Sequence, residues 1–247
     1  MKKVAIAHLK GGVGKTTTAV TLAHLAAAEG YKTLLLDLDA QGSAGYILRV
    51  DTAHTTTAKA VARAKKRLAD FIISTDYPNL SVLPGALSFR KLPQMLADYQ
   101  DDNDPFRAIF RRLGKGYDLL LVDAPAGLTY ESEAILKAVD LVVAPVVPTP
   151  LAMHSFSILR DFMQEKTAHK KGQPTQLIGF YAMVDRRRKL HRETVAEAIW
   201  PIVVPNSSAV ERMTTERKPL GELRRPGPAL PAYRALWAEM KDALTPL

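Results

Sequence analysis

The residues best suited to chemistry lie near the start of the chain, in the run Lys10-Gly11-Gly12-Val13-Gly14-Lys15-Thr16-Thr17. Glycines at this density let a backbone turn left-handed and bring its N–H groups onto phosphate oxygens. Lys15 places a cation against the β- and γ-phosphates of a nucleotide, and the Thr16 hydroxyl offers the hard oxygen that Mg²⁺ prefers. Gly11, Gly12, Val13, Gly14 and Thr17 complete the predicted cradle. The usual pattern has a glycine five residues before Gly14. Leu9 stands there instead, and a second lysine, Lys10, follows it inside the loop.

Two acidic stretches could serve the same phosphates. Asp123-Ala124-Pro125-Ala126-Gly127 follows the apolar run Leu119–Val122. A carboxylate in that place either holds Mg²⁺ through water or caps the turn that follows. Asp37-Leu38-Asp39-Ala40-Gln41-Gly42 closes another apolar run. There Asp39 can orient a water in line with a γ-phosphate, while Asp37 supports the loop or the Mg²⁺ from further out.

These groups converge only if the right elements carry them. Short, continuously apolar runs at 4–9, 33–38, 119–122, 141–147, 177–184 and 200–204 read as strands buried on both faces, with 81–83 as one more. Helical patterns fall between them, at 15–29 (ended by Gly30) and roughly at 59–73, 89–99, 104–113, 131–138, 153–169 and 190–199, with a last one at 231–244. Alternation of this kind predicts an α/β fold, a doubly wound and mainly parallel sheet with helices on both faces. Right-handed crossovers then bring all strand C-terminal ends to one edge, where the loops at Lys10, Asp39 and Asp123 would meet.

The 247 residues, 47% hydrophobic and 24% charged, suit one large domain spanning 1–247 and exclude a disordered chain. With no cysteine, disulfides, thiolate metal sites, iron–sulfur clusters and cysteine nucleophiles are all excluded. No apolar stretch is long enough to cross a bilayer, and the one after Lys2-Lys3 is too short for a signal peptide.

Lys plus Arg exceeds Asp plus Glu by 34 to 25, a net charge of +9, which suits a polyanionic partner. The excess is clustered. Arg186, Arg187, Arg188, Lys189 and Arg192 follow the strand at 177–184, and Arg217, Lys218, Arg224 and Arg225 form a second group. Both read as candidate contacts to DNA phosphates, which give affinity without sequence selectivity; a solvated helix face is the alternative. Lys65-Lys66-Arg67 reads as such a face.

KGGVGKTT resembles the deviant Walker A motif of the ParA/MinD family of P-loop ATPases, and the segments at Asp37 and Asp123 resemble that family's next two landmarks. The resemblance implies ATP and Mg²⁺ as cofactors and slow ATP hydrolysis. It assigns Asp39 to the attacking water and Lys10 to the partner's phosphates in an ATP-dependent sandwich homodimer, although Lys10 could equally serve its own nucleotide. It implies adenine contacts at Met183, Pro205 and Asn206, non-specific binding to double-stranded nucleoid DNA, and a cytoplasmic, nucleoid-associated location. Release would follow hydrolysis stimulated by a ParB-like or cargo-adaptor protein, distributing a plasmid, chromosome or protein cargo. Ala40 stands where the family usually has proline, the segment 205–212 differs from that of plasmid and chromosome ParA proteins, and the segment 183–191 is closer to short ParA-like proteins that position chemoreceptor clusters or carboxysomes. Two other readings remain at this stage. One is a MinD-like membrane ATPase using the last helix, whose polar charges balance to zero and which is therefore expected to pack on its own core. The other is a metabolic enzyme of the dethiobiotin synthetase type.

Overall fold

The computed structural model describes residues 1–51, 57–62, 68–92, 94–95, 105–167, 174–197 and 199–245. Its strands are β1 (Lys2–Ile6), β2 (Thr33–Asp37), β3 (Ile73–Ser74), β4 (Leu80–Leu83), β5 (Leu119–Asp123), β6 (Leu141–Val146), β7 (Gln176–Val184) and β8 (Val203–Pro205). They form one sheet in the order β3-β4-β2-β5-β1-β6-β7-β8, parallel except for the antiparallel edge strand β3. The helices are α1 (Lys15–Ala28), α2 (Ser43–Ile47), α3 (Ala58–Ala62), α4 (Pro105–Leu113), α5 (Tyr130–Ala138), α6 (Pro150–Thr167), α7 (Lys189–Ala196), α8 (Ser208–Glu216) and α9 (Ala229–Leu244).

The apolar strands are buried on both faces, as the sequence requires. Val4 and Ile6 of β1 face one core with α1, α2, α8 and α9, whereas Ala5 points into a second core with α3 to α6. Helix α1 is built from Ala, Thr, Val and Leu and is buried on nearly every side. It lies between the sheet and α9, where Thr18 Oγ1 and Tyr233 Oη are 3.3 Å apart. Gly30 ends it at φ +96°, an angle that glycine adopts without a Cβ penalty. Leu236, Trp237, Met240 and Leu244 of α9 are all buried, so the apolar face considered for a membrane is spent on the protein's own core. Among the described residues no helix is long and apolar enough to cross a membrane.

Several elements differ from expectation. The last strand begins at Val203, not Trp200, because the Trp200 ring lies against Gly179, where a Cβ would come within 2.4 Å of it. The helix expected at 59–73 is short α3 followed by a 3₁₀ turn at Leu68–Phe71, and a 3₁₀ turn at Leu87–Lys91 opens the one expected at 89–99. Lys65, Lys66, Arg67 and most of the loop expected at 100–105 lie outside the described residues. Helices α2 and α8 and strand β3 carry no counterpart in the sequence reading. Helix α8 begins at a serine cap, Ser207 Oγ accepting the Ala209 N–H at 3.3 Å.

Candidate functional site

Strand β1 runs between β5 and β6 in the middle of the sheet, and the chain leaves its C-terminal end into the glycine loop. Gly12 and Gly14 take φ +72° and +92°, which only glycine holds without strain. A Cβ at Gly11, Gly12 or Gly14 would meet nothing within 4 Å, so the loop wraps open space. Gly14 starts α1 without a side-chain cap, and no acidic residue stands in the first turn. The first N–H groups of α1 and its positive end are therefore left for an external anion.

The loop is fixed from behind. His8 is buried, and its Nδ1 accepts the Lys10 N–H at 3.0 Å. Burial pushes the His8 pKa down to about 4, so the ring is neutral, with its proton on Nε2. Lys15 is also buried, and its Nζ lies 3.4 Å from the Lys10 carbonyl oxygen. Burial lowers its pKa, while Asp123 and Asp39 pull it back up. Lys10 itself is exposed and does not line the cleft above the loop.

Asp37 and Asp123 end neighbouring strands in register, both almost fully buried. Burial raises both carboxyl pKa values, and each is raised further by neighbouring carboxylates. They differ in their partners. Asp37 accepts the Asp39 N–H at 3.0 Å and the Ala44 N–H at 2.9 Å, which uses both oxygens to shape the turn into α2. Neither Asp123 oxygen makes a hydrogen bond of good geometry; the nearby Thr16 hydroxyl and then the Lys15 ammonium lower its pKa against the burial. An orphaned buried carboxyl beside a phosphate cradle fits a hydrated cation. Asp39 lies at the surface of the cleft, with Oδ1 accepting the Gln41 N–H at 3.0 Å.

The cleft, about 540 Å³, is lined by the loop from Gly11 to Thr17 and by Asp39, Met183, Pro205 and Asn206. The structure thus gathers the expected cradle, water-orienting and adenine-side residues around one space. Lys10, Asp37 and Asp123 do not line it. Met183 takes φ +56° at an irregularity between β7 and β8, a strained angle for methionine, and is held open to the cleft.

Four features were missed. Tyr233 of α9 and Glu211 of α8 line the cleft, because those helices pack beside α1 and β8. Gly85 meets the turn after β2 so closely that a Cβ there would be 2.3 Å from the Asp39 carbonyl oxygen. Glu131, in the first turn of α5, is 3% exposed, and its Oε1 has no partner. Burial, aided by the Asp39 charge, pushes its pKa up to about 8.

The basic candidates are not equivalent. Arg186, Arg188 and Lys189 are exposed, Lys189 with Glu193 3.6 Å away. Arg187 is paired with Asp185 at 2.9 Å, and this bond drops the Asp185 pKa to about 2. Arg192 donates to the carbonyls of Arg186 and Arg187. Arg217 donates to the Tyr46 carbonyl at 2.9 Å and stacks over its ring at 4.7 Å, while Lys218 is half-buried. Arg224 and Arg225 are exposed.

A central glycine loop between β1 and α1, with acidic strand ends beside it in a mainly parallel sheet, defines a P-loop nucleotide-binding protein. Residues 1–173 match the family described as AAA domain. The chain is 31% identical over 201 residues to the chromosome-partitioning ATPase Soj of Treponema pallidum, covering 79% of this chain and 77% of that protein. Its fold is similar to that of Cyanothece McdA in complex with ATP (TM-score 0.80, 21% identity, 99% and 96% of the two chains). It is also similar to that of the septum site-determining protein MinD of Pyrococcus horikoshii with Mg-ADP (TM-score 0.73, 23% identity, 97% and 96%). The chain belongs to the AAA-domain family and is a P-loop ATPase of the ParA/MinD type, a class that uses ATP and Mg²⁺.

Proposed function

We propose that this chain is a partitioning or positioning ATPase: an ATP-bound sandwich dimer that binds DNA without sequence preference and lets go when a partner protein stimulates hydrolysis. The observation that carries this reading is the placement of Lys10. It is anchored through its backbone to His8 and Lys15, yet its side chain is exposed and outside its own cleft. A lysine whose backbone is fixed at the mouth of one site while its ammonium extends into solvent is suited to reach the phosphates of a second copy, where it stabilises developing charge.

Within one subunit, the N–H groups of the loop from Gly11 to Thr17 bind the phosphates, and Lys15 neutralises them. Thr16 would hold Mg²⁺ directly and Asp123 through water; bound Mg²⁺ supplies charge neutralisation between the β- and γ-phosphates. Among the described residues no three His, Asp or Glu side chains form a metal cage, which suits an ion held mostly by nucleotide and water. Asp37 shapes the turn that presents Asp39, and Asp39 orients the attacking water. Met183, Pro205 and Asn206 receive the adenine. Arg186, Arg188, Arg224 and Arg225 are the exposed candidates for DNA phosphates, with Lys189 beside Glu193. Arg187, Arg192 and Arg217 first have to leave the partners described above.

The test is binding to random-sequence duplex DNA with no nucleotide, ADP and ATP at two salt concentrations, using Asp39→Ala to hold the ATP state. An ATP-dependent gain in affinity that falls steeply with salt, lost in Lys10→Ala together with ATP-dependent dimerisation, is the expected result. Equal DNA affinity in all three nucleotide states, or a Lys10→Ala variant that dimerises normally, refutes the reading.

A further inference from the structure

The nucleotide cleft carries an acid that phosphate chemistry does not use. Glu211 lines it from the first turn of α8, the helix that follows the loop at Pro205, Asn206 and Ser207. Around it the cleft is mostly apolar. Ala182 and Met183 come from the end of β7, Val204 and Pro205 from β8, Val210 from α8, and Tyr233 from α9. Walls of this kind suit a flat heteroaromatic ring, and the few polar groups among them decide which ring is accepted. Helix α8 is held in place by its buried side. Ala209 and Met213 face the core, and the Met213 sulfur accepts from Thr21 of α1 at 3.9 Å.

Most polar groups at this end of the cleft are already engaged. Ser207 Oγ caps α8 through the Ala209 N–H at 3.3 Å, and the Asn206 backbone N–H donates to the Val184 carbonyl at 2.9 Å. The Glu211 carbonyl accepts the Thr214 hydroxyl at 2.7 Å, but among the described residues its carboxylate has no partner. The adjacent cation is turned elsewhere, since Arg212 donates to the Arg225 carbonyl at 2.6 Å and lies 3.5 Å from Glu216. Two side chains are left to read a base edge. The Asn206 amide both donates and accepts, so it serves any base, whereas an ionised carboxylate only accepts. An acid in the first turn also favours the helix dipole, which accounts for its residue type but not for its place on the cleft. A free carboxylate near a triphosphate site opposes binding unless it meets a donor on the ligand.

We propose that Glu211 is the base-specificity residue of this site: its carboxylate accepts a hydrogen bond from the exocyclic amino group of adenine and disfavours purines that carry an oxygen there. The inference rests on the reading that the base lies against Met183, Pro205 and Asn206. With the phosphates anchored on the glycine loop, every purine nucleotide places its ring alike. A 6-oxo purine then sets lone pairs where adenine sets an N–H, and two acceptors face each other. That costs more than the mere loss of a bond.

The test is calorimetry on the full chain with Mg²⁺ and four ligands: ATP, inosine triphosphate, dATP and inorganic triphosphate. Wild type should prefer ATP to inosine triphosphate by about tenfold, the scale of one partly solvated hydrogen bond to a charged group. Glu211→Ala should weaken ATP by about tenfold and leave inosine triphosphate no weaker. Glu211→Gln can turn either its oxygen or its amide N–H to the ligand, so inosine triphosphate should gain and the preference should fall to about one. Affinity for inorganic triphosphate and the ratio of ATP to dATP should be the same in all three proteins, which separates base reading from a general loss of structure. Met183→Ala tests the placement of the base on its own and should weaken ATP but not inorganic triphosphate. If Met183→Ala leaves ATP affinity unchanged, the base lies elsewhere, and the placement and the proposal fall together. If it weakens ATP while both Glu211 variants keep the wild-type preference, the placement stands and the proposal alone is overturned. A changed ratio of ATP to dATP with an unchanged preference over inosine triphosphate puts the carboxylate on the ribose, which overturns it as well.

Discussion

Glu131→Gln should reshape the pH dependence of stability. The native carboxyl is raised from an ordinary 4.5 to about 8, by burial first and the Asp39 charge second. A group with a raised native pKa stabilises the fold fully below its unfolded value and loses that contribution as the pH climbs to the native value. The window here runs from about 4.5 to 8. At 1.36 kcal/mol per unit, wild type should lose about 2 to 5 kcal/mol across it on account of this residue, the upper figure being the unrelaxed limit. Glutamine keeps the shape and removes the titration. It leaves an unpaired amide in place of an unpaired acid, a cost of about 1–3 kcal/mol that does not vary with pH. The quantity to follow is therefore the difference between variant and wild type, from urea unfolding at fixed pH steps between 5 and 9. That difference should move in favour of glutamine as the pH rises. Asp37 and Asp123 titrate in both proteins and cancel from it. In an Asp39→Ala background the transition should shift to lower pH, since one of its two causes is gone. Parallel stability curves for Glu131→Gln and wild type across the whole range would refute the reasoning.

Lys15→Ala should abolish ATP binding by calorimetry, and normal affinity would disprove the phosphate cradle. Asp39→Ala should bind ATP and lose turnover by about 100-fold or more, the scale of a lost positioning group; a wild-type rate would remove its assignment to the water. Gly85→Ala sets a Cβ 2.3 Å from the Asp39 carbonyl and 3.0 Å from the Asp37 carboxyl. It should cost about 1–3 kcal/mol and lower turnover more than ATP affinity, read by unfolding and steady-state kinetics together. Trp237→Ala empties a fully buried site in the layer between α1 and α9 and should cost about 3–5 kcal/mol in urea unfolding.

The legible part of the site is the part encoded locally. Lys10 to Thr17 carry their own geometry in their glycines, and Asp123 ends an apolar run that is a strand in any compact fold of this chain. The sheet was legible for the same reason, since runs such as Leu141–Val146 have no polar face to expose. Glu131 was not, because an acid in the first turn of a helix ordinarily sits in water near a favourable dipole, and nothing nearby announces its burial. Gly85 is a lone glycine whose neighbours Asp37 and Asp39 are distant in sequence, so only the tertiary approach reveals it. Helix α2 is too short to show a period. Arg217 reads as one more surface charge until the fold stacks it on Tyr46, 171 positions away.

That last contact makes a mechanical unit out of parts far apart in the chain. Helix α2 follows directly on the turn that carries Asp39, and Asp37 grips the first residues of that helix. Arg217 holds the same helix from the other side, through a hydrogen bond and a stacked ring. A few residues on, Glu222 is 3.0 Å from Nε2 of His24 on α1, the helix that begins at the glycine loop. The segment from Arg217 to Arg225 is thus riveted to both arms of the nucleotide cradle. The Asp39 turn is tied to that segment through α2 and Arg217, the glycine loop through α1 and the His24–Glu222 pair, so the exposed Arg224 and Arg225 stand on a stretch of chain braced against both.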